Sequence, residues 1–261
     1  MMNAKILRIN YVAFLTIIRR EFTRIFRIWG QVFLPPAITM ILYFIIFGSL
    51  IGKKIGLIQG VPYMEFLAPG LIMMSVVTNS YSGAVSGFFS VRYTGNIEEM
   101  LIAPIFKTTI VAAFVVAGAM RGLIIGAMVL LISMYFTHFT ITHIFILLIS
   151  AILTSILFGL AGFVNAVFAR SIDDVSIVPT FVLTPLTYFA GVFYSIKMLP
   201  PFWQALSHFN PVLYIVDIFR FAALGIVGVN IEFAFFVEFA LIALLLFLII
   251  HFMRKGYGGR V

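Results

Sequence analysis

The chain has 261 residues, 63% of them hydrophobic and only 10% charged, and it contains no cysteine. Soluble domains carry about 25% charged residues, so the composition excludes an ordinary globular enzyme and points to an all-α polytopic membrane protein. Without cysteine there are no disulfides, thiolate nucleophiles, Cys-based zinc sites or iron–sulfur clusters. The net charge of +8, from 17 basic and 9 acidic residues, speaks for membrane topology and anionic lipid rather than for nucleic acid.

In chain order, residues 4–29 predict an amphipathic helix. Ile18, Phe22, Ile25, Phe26 and Trp29 follow helical spacing, while Arg20, Arg24 and Arg27 repeat on another face. Such a helix lies in the interface plane with its arginines toward anionic head groups, as an anchor alone or as an anchor that also touches a partner. The basic residues reach to Arg27, too far in for a short basic region of a cleavable signal.

A hydrocarbon core of roughly 30 Å needs about 20 apolar residues of helix. Six stretches qualify: 32–51, 66–91, 108–136, 144–169, 175–196 and 233–253. Pro35 and Pro36 are expected in the first turn of the first span, where a missing amide hydrogen costs nothing. The second span carries Gly83 and Gly87, and the third carries Gly118, Gly122 and Gly126 at intervals of four, both suited to close helix contact. Pro179 and Pro185 are placed to kink the fifth.

The connections are short, and no soluble domain or internal repeat is present, so residues 1–261 form one membrane domain. Between the second and third spans, residues 92–107 form a short element in which Asn96 is expected to cap a helix. Glu98 and Glu99 fall in its first turn, Met100, Leu101 and Ile102 follow, and Pro104 ends it. His138 and His143, around the third-to-fourth turn, read as interface residues. At Arg170–Asp174 the adjacent acids suit helix capping by Asp173 better than a Mg²⁺ site. Residues 198–216 are uncharged but rich in proline. They read as broken helices that dip into the membrane, with a plain external loop as the alternative.

An even number of spans puts both termini on one side. With the N-terminus inside, twelve Lys and Arg lie on cytoplasmic stretches against four outside, Lys53, Lys54, Lys197 and Arg220. The positive-inside rule therefore makes the termini cytoplasmic. The sequence contains no P-loop, no His-Glu-x-x-His and no Gly-x-Ser-x-Gly, so neither a catalytic centre, a metal nor a cofactor is expected in this chain. Arg121 and Glu238 are charges inside nominal spans and should face the bundle or a polar cavity, with a bridge between them as one option.

Several stretches together resemble the membrane-spanning permease subunit of the type-2 family of ATP-binding-cassette exporters, above all its YadH-like bacterial inner-membrane branch. They are Phe33-Leu34-Pro35-Pro36-Ala37-Ile38-Thr39-Met40, Phe66-Leu67-Ala68-Pro69-Gly70-Leu71-Ile72-Met73-Met74 and Asn96-Ile97-Glu98-Glu99-Met100-Leu101-Ile102-Ala103-Pro104. To these add Thr184-Pro185-Leu186-Thr187-Tyr188-Phe189-Ala190-Gly191-Val192-Phe193-Tyr194, Leu199-Pro200 and Asn210-Pro211. The resemblance implies a six-span unit that pairs with a second copy and with two separate ATPase subunits, which would bind ATP and Mg. It also implies that residues 92–107 are a coupling helix, with Asn96, Glu98, Glu99, Met100 and Leu101 at or near the ATPase. Residues 4–29 would be the interfacial helix, and residues 199–214 outer re-entrant helices. Relatives export lipid-linked polysaccharides, lipo-oligosaccharides or hydrophobic drugs. Tyr43, Tyr81 and Tyr188 read as ordinary span aromatics rather than a sugar channel. The rival classes are a secondary transporter driven by an ion gradient and a non-transporting membrane scaffold.

Overall fold

A computed structural model describes residues 2–137 and 140–258, and within them the chain is almost wholly helical. His138 of the sequence reading lies outside the described residues. Helix α1 spans Met2–Arg27, and after a break at Ile28 helix α2 runs Trp29–Tyr43. Trp29 therefore opens the first apolar helix rather than closing the amphipathic one. Pro35 and Pro36 are also displaced from their expected place: because the helix starts at Trp29, both fall in its interior. Beyond Tyr43 the ladder widens into a π-helix, Phe44–Ile51, followed by the single turn α3, Gly52–Ile55.

A small hairpin then reverses the chain. Strands β1 (Leu57–Ile58) and β2 (Val61–Pro62) pair antiparallel, joined by Gln59 (φ 51°) and Gly60 (φ 86°). Two successive positive φ angles are what a two-residue primed turn requires.

Helix α4 (Tyr63–Tyr93, 31 residues) is the axis of the fold. Phe66, Leu71, Tyr81 and Phe88 are buried on its different faces. After the short α5 (Ile97–Ile102), helices α6 (Lys107–Phe136) and α7 (Ile144–Phe168) pack along α4. The two glycine stripes of the sequence meet here. A Cβ added at Gly83 would stand 2.9 Å from the Gly118 Cα, and one at Gly118 would stand 2.7 Å from the Ala84 nitrogen. The α4 and α6 backbones therefore touch directly, the close approach that small residues permit.

Helix α8 (Ile172–Val178), a π-turn (Pro179–Leu183) and α9 (Thr184–Tyr188) form a continuous helical run. It stops at Tyr188 rather than Ile196, because the chain turns back through Gly191, whose φ is +72°. Ser171, not Asp173, caps α8. Its hydroxyl accepts from the Asp174 N–H at 3.1 Å, while the Asp174 carboxylate accepts from the N–H groups of Ser171 and Arg170.

A 3₁₀ turn (Ile196–Met198) leads to α10 (Pro201–His208) and α11 (Pro211–Leu224), and α12 (Ile231–Arg254) closes the chain. The proline-rich region is thus a pair of short helices, and the second extends beyond residue 216. Asn210 caps α11 by accepting from the Val212 N–H at 3.0 Å, and Gly225 (φ +72°) ends it in the left-handed conformation. Helix α11 packs against α4, α7 and α12.

Among the described residues, four helical stretches are long and apolar enough to cross a membrane: Trp29–Gly48, Lys107–Phe136, Ile144–Phe168 and Ile231–Arg254. Helix α4 has the length, but Ser75, Asn79 and Ser80 dilute its apolarity. Those residues are buried in protein and need not face lipid.

The connections gather at two ends. At the basic end, Lys107 Nζ donates to the Met253 carbonyl at 2.7 Å and Arg92 donates to the last carbonyls of α7, including Ala169 at 3.1 Å. At the hairpin end, the Tyr63 hydroxyl donates to the Phe193 carbonyl at 2.9 Å and Gln59 donates to the Ser195 hydroxyl at 3.0 Å.

Candidate functional site

At the basic end, α1 lies against the segment that joins α4 to α6. Asn10, 6% exposed, fastens it there. Its Oδ1 accepts from the Phe106 N–H at 2.7 Å and from the Thr109 hydroxyl at 2.8 Å, which satisfies donors at the start of α6. Helix α5 hangs from this frame. Ile97 is its single buried residue, while Glu98, Glu99, Leu101 and Ile102 face outward, Ile102 at 85% exposure. Met100 is half-buried on the side of α1. Asn96 stands at the helix start but makes no side-chain cap; its backbone is already helical, and the Glu98 N–H bonds to the Gly95 carbonyl instead.

The arginines of α1 divide. Arg27 is exposed, as is Trp29 in α2. Arg24 turns inward, bonding the Ser86 carbonyl and hydroxyl at 3.3 Å and the Glu21 carboxylate at 2.7 Å. Arg20 holds the other oxygen of Glu21 at 2.9 Å and lies 5.8 Å from the centre of the Phe114 ring. The cause is Glu21, which is 3% exposed against α4 where Gly87 leaves room. A carboxylate so placed must be paired, and helical spacing puts Arg24 within reach. The sequence did carry a signal: Glu21 is the sole acid before Glu65, set among arginines.

Arg121 and Glu238 are not brought together. Arg121 lies beside Arg24, with its side chain against Gly83. Glu238 is 1% exposed, and one carboxyl oxygen accepts from the Thr154 hydroxyl at 2.7 Å. Helix α7 supplies that partner, so Glu238 belongs to the α7–α12 seam and Arg121 to the α1–α4–α6 seam.

The hairpin end holds a buried ion pair that sequence reasoning missed, having placed Arg220 outside. Asp217 and Arg220 are 6% and 5% exposed and 3.1 Å apart. Arg220 also donates to the Gly191 carbonyl at 2.8 Å and stacks over the Phe66 ring at 4.0 Å. Their spacing of three on a helix was the available clue. Nearby, Tyr43, Phe47, Tyr188 and Phe193 form one aromatic cluster, with the two tyrosine hydroxyls 3.3 Å apart. Tyr43 and Tyr188, read separately in the sequence, are therefore partners. Tyr81 lies apart from them, in the core of α4.

The family described as ABC-2 type transporter matches residues 12–224. An inner membrane transport permease, YadH of Escherichia coli strain K12, is 46% identical over 97% of this chain and 99% of its own length. Nodulation protein J of Rhizobium leguminosarum bv. viciae is 26% identical over 71% of this chain and 72% of its own.

Proposed function

The chain belongs to the ABC-2 type transporter family, and on that premise we propose that it is the membrane-spanning subunit of an ATP-driven exporter. It resides in the bacterial inner membrane and moves an amphipathic, lipid-linked or hydrophobic substrate outward. Residues 29–51, α4, α6, α7, the run from α8 to α9, and α12 supply six crossings. Helices α10 and α11 dip into the outer side between the last two. The basic end faces the cytoplasm, so both termini lie there. The working unit pairs two copies of this chain with two separate ATPase subunits, which bind ATP and Mg. This chain itself is no enzyme.

One observation carries the reading. Helix α5 is held by a single buried residue, presents two acids and two apolar side chains outward, and connects α4 directly to α6. Those two helices touch backbone to backbone at Gly83 and Gly118. A force applied by an ATPase to Glu98, Glu99, Met100 and Leu101 therefore enters the bundle where α4 and α6 touch. Asn10 passes it to α1, and Lys107 passes it to the end of α12.

Reconstitution of the permease with its cassette ATPase tests the proposal. Glu98→Arg with Glu99→Arg is expected to abolish substrate-stimulated ATP hydrolysis while leaving membrane insertion intact. Unchanged stimulation removes the coupling role. Transport by the permease alone under a proton gradient favours an ion-driven mechanism instead.

A further inference from the structure

Two hollows run along one face of α1 and share Thr16 and Arg20 as common lining. The first, about 590 Å³, is lined by Ile9, Val12, Ala13 and Ile17 of α1, by Met100 and Ile105, and by the basic Lys5 and Arg8. The second, about 500 Å³, continues toward the end of α1 and is lined by Arg19, Arg20, Arg24 and Arg27, with Ser90 and Thr94 on the α4 side. Its one carboxylate, Glu21, is taken up by Arg20 and Arg24. Arg19 and Arg27 remain exposed, and among the described residues their guanidinium groups have no protein partner. The lining residues of α1 recur every three or four positions from Lys5 to Arg27, so the two hollows form a single groove.

Half of this groove is apolar and half carries surplus guanidinium charge. We propose that it holds one anionic membrane phospholipid, with an acyl chain in the hollow beside Ile9–Ile17 and its phosphate against Arg19 and Arg27. Guanidinium groups bind phosphate oxygens in pairs, and two without a protein partner supply the charge complement. A free phosphate would leave the apolar half empty. A zwitterionic lipid offers less negative charge to the arginines. The lipid touches α5 as well as α1, since Met100 lines one hollow and Asn96 the other. It therefore ties the interfacial helix to the α5 segment. The site rests only on α1 lying at the membrane surface, not on the export reading.

The test uses the full chain, purified and placed in nanodiscs. Native mass spectrometry counts retained lipid with phosphatidylglycerol, with phosphatidylethanolamine, and with soluble glycerol 3-phosphate as competitor. Wild type is expected to retain one phosphatidylglycerol per chain in preference to phosphatidylethanolamine. Arg19→Gln with Arg27→Gln should weaken that retention roughly tenfold or more, since both charges set against the phosphate are removed. Ala13→Trp, which fills the apolar half, should also reduce it. Hydrogen exchange over residues 96–105 should slow with phosphatidylglycerol in wild type and not in the Arg19→Gln, Arg27→Gln protein. Equal retention of both lipids, retention unchanged in both variants, or displacement by glycerol 3-phosphate alone would each overturn the proposal. So would loss of the lipid whenever the cassette ATPase binds, which would make the groove a protein interface. Failure of export with lipid retention intact would sink the exporter reading and leave this site standing.

Discussion

Replacing Arg220 with methionine keeps most of the side-chain length and removes the charge, so it isolates what the buried pair does at the hairpin end. The change deletes the 3.1 Å contact to Asp217, the 2.8 Å bond to the Gly191 carbonyl and the stacking on Phe66. Asp217 is left at 6% exposure without its cation. Removing one member of a buried pair costs about 3–5 kcal/mol, because the remaining charge is stranded. Lys197 lines the same hollow as Asp217 and offsets part of that, which favours the lower figure. The bond to Gly191 ties α11 to the turn at residues 189–195, so the loss should appear as local opening of that turn rather than as global unfolding. The native chain has no cysteine, so a single Val192→Cys reports the opening cleanly; Val192 is fully buried. At about 1.4 kcal/mol per tenfold, a loss of about 3 kcal/mol raises the thiol-labelling rate roughly a hundredfold. Adding Asp217→Leu removes the stranded charge and should recover most of that factor. Labelling of Arg220→Met at the wild-type rate would refute the reasoning, as would a double variant that opens further than the single one.

Two other substitutions test the frame. Gly118→Ala places a methyl group 2.7 Å from the Ala84 nitrogen and 2.9 Å from the Ser80 carbonyl, backbone atoms that cannot move aside. It should cost about 1–3 kcal/mol and lower the thermal midpoint in detergent. Gly30→Ala, which meets only a Leu34 methyl at 3.8 Å, should leave the midpoint unchanged or slightly raised. Asn10→Leu strips the acceptor from the Phe106 N–H and the Thr109 hydroxyl, a loss of about 1 kcal/mol for part-buried hydrogen bonds. It should speed hydrogen exchange at residues 106–110 while leaving α7 unaffected.

The sequence revealed length and polarity along the chain far better than which way each helix faces, and the reason is the solvent. In water, one polar and one apolar face give a helix its orientation. In lipid both faces are apolar, so periodicity carries little information. Apolar runs and proline placement accordingly predicted where helices lie, and the small helix between α4 and α6 was legible from its acids and Pro104. What stayed hidden was every contact made by one side chain to a distant backbone: Asn10 to Phe106, Arg92 to the end of α7, Arg220 to Gly191. Those partners are about 30 to 100 residues away, and carbonyls leave no mark on sequence. Glu21 shows where a reading can still reach further. A lone carboxylate among arginines cannot be buried unless one of them pairs with it there, so it predicts that Arg24, one turn on, turns from the head groups. Applied to α11, the same rule makes Asp217 and Arg220 an internal pair and moves Arg220 out of the external tally.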